Sequence, residues 1–114
     1  MIQDRSFALA LRIVELYKLL VDQREFVIAR QLLRSGTSIG ANVEEASAAQ
    51  SRRDFLSKMS IASKEARETV YWLKLLTHSR LVALDIGPYM TEAEEVMRIL
   101  TAIVKTTSST PEQT

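Results

Sequence analysis

Residues 35–43 read Ser-Gly-Thr-Ser-Ile-Gly-Ala-Asn-Val and carry no charge. As a helix they make about two and a half turns. A helix with one side in water would place Lys or Glu there, whereas this stretch offers small residues suited to close approach of another helix. Gly36 and Gly40 lie four apart, on one side. Within a helix, each glycine destabilises by about 1 kcal/mol relative to Ala. Two such costs in one helix suggest a compensating gain from tight packing. The alternative is a helix that is bent, with a break near Gly36.

Apolar residues recur at intervals of three and four on both sides of this stretch, the spacing of one helix face. They predict helices over about residues 5–21, 25–50, 53–78 and 88–106. The expected buried positions are Leu9, Ile13, Leu16 and Leu20; Ile28, Leu32, Ile39, Val43 and Ala46; Phe55, Met59, Ala62, Ala66, Val70 and Leu73; and Tyr89, Ala93, Val96, Leu100, Ile103 and Val104. The four apolar faces have to meet in one core.

Few residues interrupt these helices. The 114 residues include three Gly and two Pro, fewer turn formers than a β-rich fold of this size needs. Ser51, three residues before Asp54, forms a capping pattern, and Gly87-Pro88 marks the start of the last helix. The sequence therefore predicts an all-α fold, an antiparallel up-and-down four-helix bundle over residues 1–106. The polar tail, residues 107–114, is expected to be disordered.

Surplus apolar surface predicts a homo-oligomer. Counted at 100° per residue, the apolar arc of the first helix spans about 220°, twice what the surface of a monomer needs. The third helix has a second stripe beside its core face that includes Trp72, either an interface anchor or a residue on the bundle rim. The residues predicted to contact another subunit are Phe7, Val14, Gly36, Thr37, Ser38, Gly40, Ala41, Asn42, Glu45, Ile61, Glu65, Glu68 and Trp72.

Basic residues provide the candidate nucleic-acid surface. Net charge is only +1, but residues 1–83 carry 13 Lys/Arg against 9 Asp/Glu, and residues 84–114 carry 2 against 5. Complementary charge between helices would explain this equally well. The candidates for sequence-independent phosphate contacts are Arg30, Arg34, Arg52, Arg53, Lys64, Arg67 and Lys74. The alternative is that they are solvated or paired charges, and no aromatic stacking platform is expected beside them.

Signals for catalysis, metals and membranes are poor. The chain has no Cys and one His, His78, which more often caps helix carbonyls than catalyses. It lacks the nucleophile elbow, the Lys-containing phosphate loop and the Glu-x-x-His pattern of di-iron bundles. We therefore expect no enzyme activity, cofactor, metal or small-molecule substrate. No apolar run is long enough to span a membrane and no secretory signal is visible, so we expect a cytoplasmic protein.

Two stretches resemble a known family, residues 31–46 (Gln-Leu-Leu-Arg-Ser-Gly-Thr-Ser-Ile-Gly-Ala-Asn-Val-Glu-Glu-Ala) and residues 64–73 (Lys-Glu-Ala-Arg-Glu-Thr-Val-Tyr-Trp-Leu), the latter preceded by Ser-Arg-Arg-Asp-Phe at 51–55. Together with the first helix, they resemble the bacterial four helix bundle protein family over about residues 5–105. Its members include proteins encoded in intervening sequences of 23S ribosomal RNA genes and the accessory protein of diversity-generating retroelements.

The resemblance implies a homopentameric barrel with a central channel. It also implies association with RNA and a reverse transcriptase through a basic surface, as in the retroelement accessory member, although those proteins are strongly basic and this chain is near neutral. Positions that recur in the family map onto Arg34, Ser38, Asn42, Glu45, Arg53, Phe55, Glu65 and Glu68. A buried polar residue such as Asn42 can set the register between helices and the oligomeric state, so this motif can serve assembly.

Three functions remain open at this stage. The first is a non-catalytic, oligomeric, RNA-associated accessory protein whose partners are itself and RNA or a nucleic-acid enzyme. The second is a structural or protein-partner module whose charges serve assembly, without nucleic-acid binding. The third is an enzyme. Steep salt dependence of nucleic-acid retention would separate the first from the second.

Overall fold

A computed structural model describes residues 1–110 and shows four helices in this range. They are α1 (Ile2–Asp22), α2 (Phe26–Ser47), α3 (Arg52–Ser79) and α4 (Gly87–Ser109). The contacts between them are α1·α2, α2·α3, α3·α4 and α1·α4, so each helix touches two neighbours around a ring. The bundle measures 54 × 21 × 21 Å. The predicted all-α, four-helix architecture is confirmed.

Ion pairs and hydrogen bonds show that neighbouring helices run in opposite directions. On the α1·α4 contact Arg5 pairs with Glu95, and ten residues later Glu15 accepts a 3.1 Å hydrogen bond from the Tyr89 hydroxyl. The residue number rises along one helix as it falls along the other. The α2·α3 contact shows the same reversal in the pairs Glu45–Lys58 and Ser35–Thr69. These two contacts have the antiparallel arrangement of the predicted up-and-down bundle.

Local sequence explains where the helices begin and end. The Ser51 hydroxyl accepts from the Asp54 backbone N–H at 3.0 Å, which confirms the predicted cap of α3. The Glu25 side chain does the same for Ile28 at the start of α2. Arg80 ends α3 in the left-handed region at φ 56°, a conformation that helix ends commonly adopt.

The predicted apolar faces form the core. Leu9, Ile13, Leu16 and Leu20 of α1 are fully buried, and all five core positions predicted for α2 are buried. On α3 and α4 four predicted positions pack against the core but are only partly buried, namely Phe55, Val70, Ile103 and Val104. The sequence pattern therefore placed the centre of each face well and its margins less well.

Helix α2 is continuous through both glycines, so the alternative of a break near Gly36 is wrong. Gly36 is buried, and a Cβ atom there would lie 2.7 Å from Ile13 Cγ2 on α1. The close packing predicted at Gly36 therefore occurs within one chain, not against another subunit. At Gly40 a Cβ would lie 3.5 Å from the Ser6 carbonyl oxygen, an ordinary contact.

Helix α4 extends to Ser109, three residues beyond the predicted end near Thr106. The reason is local, since the Ser109 hydroxyl donates to the Lys105 carbonyl oxygen at 2.8 Å and the Thr110 hydroxyl to that of Thr106 at 2.7 Å. The remainder of the predicted disordered tail, residues 111–114, lies outside the described residues. Within residues 1–110, no helix is long and apolar enough to cross a membrane.

Candidate functional site

A buried hydroxyl pair joins α2 to α3. The Thr69 hydroxyl donates to Ser35 Oγ at 2.9 Å, and both residues are 0% exposed. Ser35 Oγ also lies 3.4 Å from the Leu32 carbonyl oxygen, and Thr69 Oγ1 lies 2.9 Å from that of Glu65. Because a buried hydroxyl is costly without a partner, this pair fixes the register of the two helices. Its residues were not among the predicted site residues.

A charged cluster lies beside the hydroxyl pair. The Arg34 guanidinium donates to Glu65 Oε2 at 3.2 Å and also to Glu68 Oε2, while the Trp72 indole N–H donates to Glu68 Oε2 at 2.9 Å. The hydrogen bond from Trp72, followed by those from Arg34, holds the pKa of Glu68 below its usual value. Hydrogen bonding to Glu68 raises the pKa of Arg34. These four residues are called the Arg34 cluster below.

The Arg34 cluster accounts for several residues that the sequence assigned elsewhere. Arg34 was a candidate phosphate ligand, and Glu65, Glu68 and Trp72 were candidate subunit contacts. In the structure the four bond to one another within one chain. Two carboxylates surround one guanidinium, so the cluster carries no surplus positive charge for a polyanion.

Four candidates for nucleic-acid contacts lie together on the outer side of α3. They are exposed and fall within about 80° of arc, opposite the buried face, and are called the basic α3 face: Arg53, Lys64, Arg67 and Lys74. Among the ion pairs of residues 1–110, none involves any of them. Arg67 makes one contact, donating to Ser63 Oγ at 3.3 Å. They therefore form no ion pair among the described residues, although the charge of Lys64 contributes to lowering the pKa of Glu68.

The other two predicted basic contacts are placed differently. Arg30 is exposed on α2. Arg52 is partly buried and donates a hydrogen bond to the Thr107 carbonyl oxygen of α4. Arg52 therefore helps to join the start of α3 to the end of α4, and a structural role explains it.

A groove between α1 and α2 collects much of the predicted assembly surface. It encloses about 270 Å³, and the name α1–α2 groove is used below for its lining: Gln3, Ser6, Phe7, Ala10, Thr37, Gly40, Ala41 and Glu44. Phe7 is 63% exposed, and Leu11, one turn further along α1, is 57% exposed. Two large apolar side chains are therefore exposed on α1 near a small-residue face of α2.

Two polar side chains next to this groove form hydrogen bonds within their own helix. The Thr37 hydroxyl donates to the Leu33 carbonyl oxygen at 2.7 Å, and the Asn42 amide to that of Ser38 at 2.9 Å. The Asn42 side chain therefore bonds within its own helix. Glu45 pairs with Lys58 of α3 at 3.6 Å. The remaining predicted contacts are Val14 and Ser38, which are half-buried on α1 and α2, and Ile61, which is 39% exposed on α3.

One aromatic side chain accompanies the basic α3 face, contrary to the sequence prediction. Tyr71 is 56% exposed and lies four residues after Arg67 and three before Lys74, on the same side of the helix. That spacing was a signal available in the sequence. The ring contacts Trp72 edge-on, with 5.2 Å between centroids and 71° between planes.

Comparison with known proteins identifies the chain. The family model of the 23S rRNA-intervening sequence protein matches residues 1–102. The chain belongs to this family. It also resembles the crystal structure of a protein of unknown function from the S23 ribosomal protein family of Bacteroides thetaiotaomicron VPI-5482, with 48% identity and a TM-score of 0.87. That match covers 92% of this chain and 99% of the other. No curated protein matches.

Membership of the 23S rRNA-intervening sequence protein family confirms the resemblance drawn from residues 31–46 and 64–73. The family description supplies no activity. No group of three or more His, Asp or Glu side chains within residues 1–110 is arranged to hold a metal ion. A depression of about 630 Å³ at the α3–α4 link is lined mainly by apolar and small residues, with His78, Arg80 and Asp85 among them.

Proposed function

We propose that this 23S rRNA-intervening sequence protein is a non-catalytic homo-oligomer that binds RNA through the basic α3 face. The observation that carries the proposal is the basic α3 face itself, four exposed cations opposite the core with no ion-pair partner among the described residues. Repetition of this face around an assembly would give a polyanion several equivalent contacts. Such a protein would act in the cytoplasm.

The α1–α2 groove supports self-association. Its apolar wall is presented by Phe7, while Gly40 and Ala41 let another helix approach closely. A second copy of the same chain is the occupant we propose, because the groove combines an exposed aromatic knob with a small-residue hollow, the two halves of a helix–helix contact. A homopentameric barrel is the assembly expected from the family resemblance.

The placement of charge supports RNA binding at one surface of the chain rather than over its whole surface. Net charge is only +1, and ion pairs with neighbouring helices involve Arg5, Arg12, Arg34 and Lys58. Among the exposed cations that form no ion pair in residues 1–110, four share the basic α3 face, while others such as Lys18, Arg98 and Lys105 lie on α1 and α4. Phosphate contacts of this kind confer affinity without base recognition and weaken steeply with salt.

A structural or protein-partner module is the second candidate. The observation that favours it is the number of ion pairs between helices, above all in the Arg34 cluster, which includes three of the positions that recur in the resembled family, Arg34, Glu65 and Glu68. Under this alternative the motif specifies the bundle and its assembly, and the basic α3 face only keeps the particle soluble.

Light scattering on the purified protein, with absorbance at 260 and 280 nm followed across the peak, tests the proposal. We expect an oligomer that carries nucleic acid in low salt and releases it in high salt. An oligomer free of nucleic acid that also fails to bind added RNA in low salt would favour the second candidate. A monomer would contradict the proposed self-association.

Substitutions separate the two surfaces. Gly40→Leu should reduce the oligomer's mass because the side chain fills the α1–α2 groove; an unchanged mass would exclude the groove as the contact. Replacing Arg53, Arg67 and Lys74 by Gln should preserve the fold and weaken RNA binding, lowering the salt-dependence slope by up to about 2 per subunit. The matched control carries the same charge change on exposed sites of α1 and α4, namely Lys18, Arg98 and Lys105.

A further inference from the structure

Tyr71 occupies the middle of the basic α3 face. With Arg67 before it, Lys74 after it and Lys64 two turns earlier, it lies within one arc on the side of α3 away from the core. Lys64 and Lys74 are ten residues apart, or about 15 Å along the helix. No Asp or Glu falls within this arc between residues 53 and 78. A large aromatic ring is thus exposed between cations on this side of α3, with Glu68 on the adjoining side three residues before it.

The Tyr71 ring is held in place by the Arg34 cluster. Its neighbour Trp72 contacts it edge-on at 5.2 Å, and the Trp72 indole is fixed by its 2.9 Å hydrogen bond to Glu68. Glu68 in turn pairs with Arg34 of α2. A chain of contacts from the adjacent helix therefore orders the ring while leaving 56% of the residue exposed. An exposed ring that is already ordered loses little freedom when a ligand stacks on it.

The ring also borders a shallow depression. Tyr71, Lys74, Leu75 and His78 line a space of about 350 Å³ whose surface is mainly apolar. Leu75 supplies a second apolar surface next to the ring, and Lys74 a cation within the same space. An aromatic face, an apolar neighbour and flanking cations are the combination by which proteins bind single-stranded nucleic acids, through base stacking and phosphate contacts.

We propose that Tyr71 is a base-stacking residue for single-stranded RNA, with Lys74 and Arg67 neutralising phosphates on either side of the stacked nucleotide. The inference rests on the proposed RNA-binding function and specifies its ligand as unpaired rather than duplex RNA. Duplex bases are stacked on one another inside an A-form helix, where a tyrosine on a convex helix surface does not reach them. An acidic protein partner would satisfy the cations but would not require a planar ring between them.

Binding of a short oligouridylate by the full-length protein in low salt tests this assignment. The matched variants are Tyr71→Leu, which keeps an apolar side chain but removes the π-face, and Tyr71→Phe, which keeps the ring. We expect Tyr71→Leu to bind roughly five- to hundredfold more weakly, and Tyr71→Phe to bind like the wild type. Trp72 is the single Trp, and its fluorescence should change when a base stacks on the adjoining ring.

Inorganic polyphosphate is the control ligand because it carries the charge of RNA without bases. Its affinity should be the same for Tyr71→Leu and wild type and should fall in the Arg53/Arg67/Lys74→Gln variant. If Tyr71→Leu binds oligouridylate as tightly as wild type while the charge variant does not, the stacking role is wrong and the proposed function survives. If wild type binds neither ligand, both are wrong. A change in oligomer mass, or an equal loss of polyphosphate affinity, on Tyr71→Leu would also overturn the stacking role.

Discussion

The two edges of α2 are joined to their neighbours by different means. Towards α1 the contact is steric, because Gly36 has no side chain and Ile13 occupies the space. Towards α3 the contact is polar, through the Ser35–Thr69 hydroxyl pair and the Arg34 cluster. Three consecutive residues, Arg34-Ser35-Gly36, thus contact both α1 and α3, because successive residues point to different sides of a helix.

One segment of α2 therefore specifies its register against two neighbouring helices. A steric contact tolerates no added atom but places no demand on hydrogen bonding, whereas a polar contact requires each donor to meet its acceptor. The two edges should therefore fail in different ways. Substitutions at the α1 edge should act through volume, and substitutions at the α3 edge through lost partners and, for Glu68, through pH.

The largest expected difference lies between the two glycines. Gly36→Ala places a methyl group against the branched, fully buried Ile13, which has little rotamer freedom in a helix, so we expect a net loss of about 2 kcal/mol. Gly40→Ala makes only an ordinary contact and should be neutral or stabilise by up to about 1 kcal/mol, since alanine favours helix. Urea unfolding of both variants measures the difference. Equal effects would refute the steric description of the α1 edge.

A smaller effect is expected at the hydroxyl pair. Thr69→Val keeps the shape of the side chain but leaves Ser35 with only its long bond to Leu32, so we expect a loss of about 1 kcal/mol. Adding Ser35→Ala should cost less than the two single changes summed, because the Ser35 oxygen, which Thr69→Val leaves without its donor, is then removed as well. Strict additivity in this double-mutant cycle would show that the hydroxyls do not interact.

The smallest effect, under about 1 kcal/mol, is expected from the Arg34 cluster, whose members are partly exposed. Because the folded protein holds the pKa of Glu68 below 4.5, its usual value, the contribution is present above pH 4.5 and is lost as pH falls through the lower folded value. Glu68→Gln should therefore reduce stability above pH 4.5 and flatten its acid dependence. Trp72 fluorescence during unfolding reports this, with Glu94→Gln, at a carboxylate of α4 that forms no ion pair within residues 1–110, as control. An unaltered pH profile would contradict it.

The fold was predictable because its signal is periodic. Apolar spacing predicted that Leu9, Ile13, Leu16 and Leu20 lie in the core. The small number of Gly and Pro residues favoured long helices. The end of α4 was not predictable to the residue, since hydroxyl-to-carbonyl bonds such as that of Ser109 extend a helix without any apolar pattern.

The site was only partly predictable, because pairings across helices depend on register. The sequence singled out Arg34, Glu65 and Glu68, yet nothing in their spacing shows that a guanidinium on α2 meets carboxylates on α3. A shift of one helical turn would have given it other partners. Residues within one helix are different. Spacing alone predicted that four basic residues share one side of α3: Arg53, Lys64, Arg67 and Lys74. The same spacing places Tyr71 on that side, but aromatic residues were not included in the count.

The contact between α1 and α4 has a consequence for connectivity. Because Arg5 meets Glu95 and Glu15 meets Tyr89, the beginning of α1 and the later turns of α4 lie at one end of the bundle, together with the link from α2 to α3. The four helices form a closed ring of neighbours in space, although the backbone makes only three of the four connections. A circular permutant that joined α4 to α1 through a flexible linker and opened between Ser47 and Arg52 would therefore keep every neighbour, which separates the architecture from the order in which the chain is written.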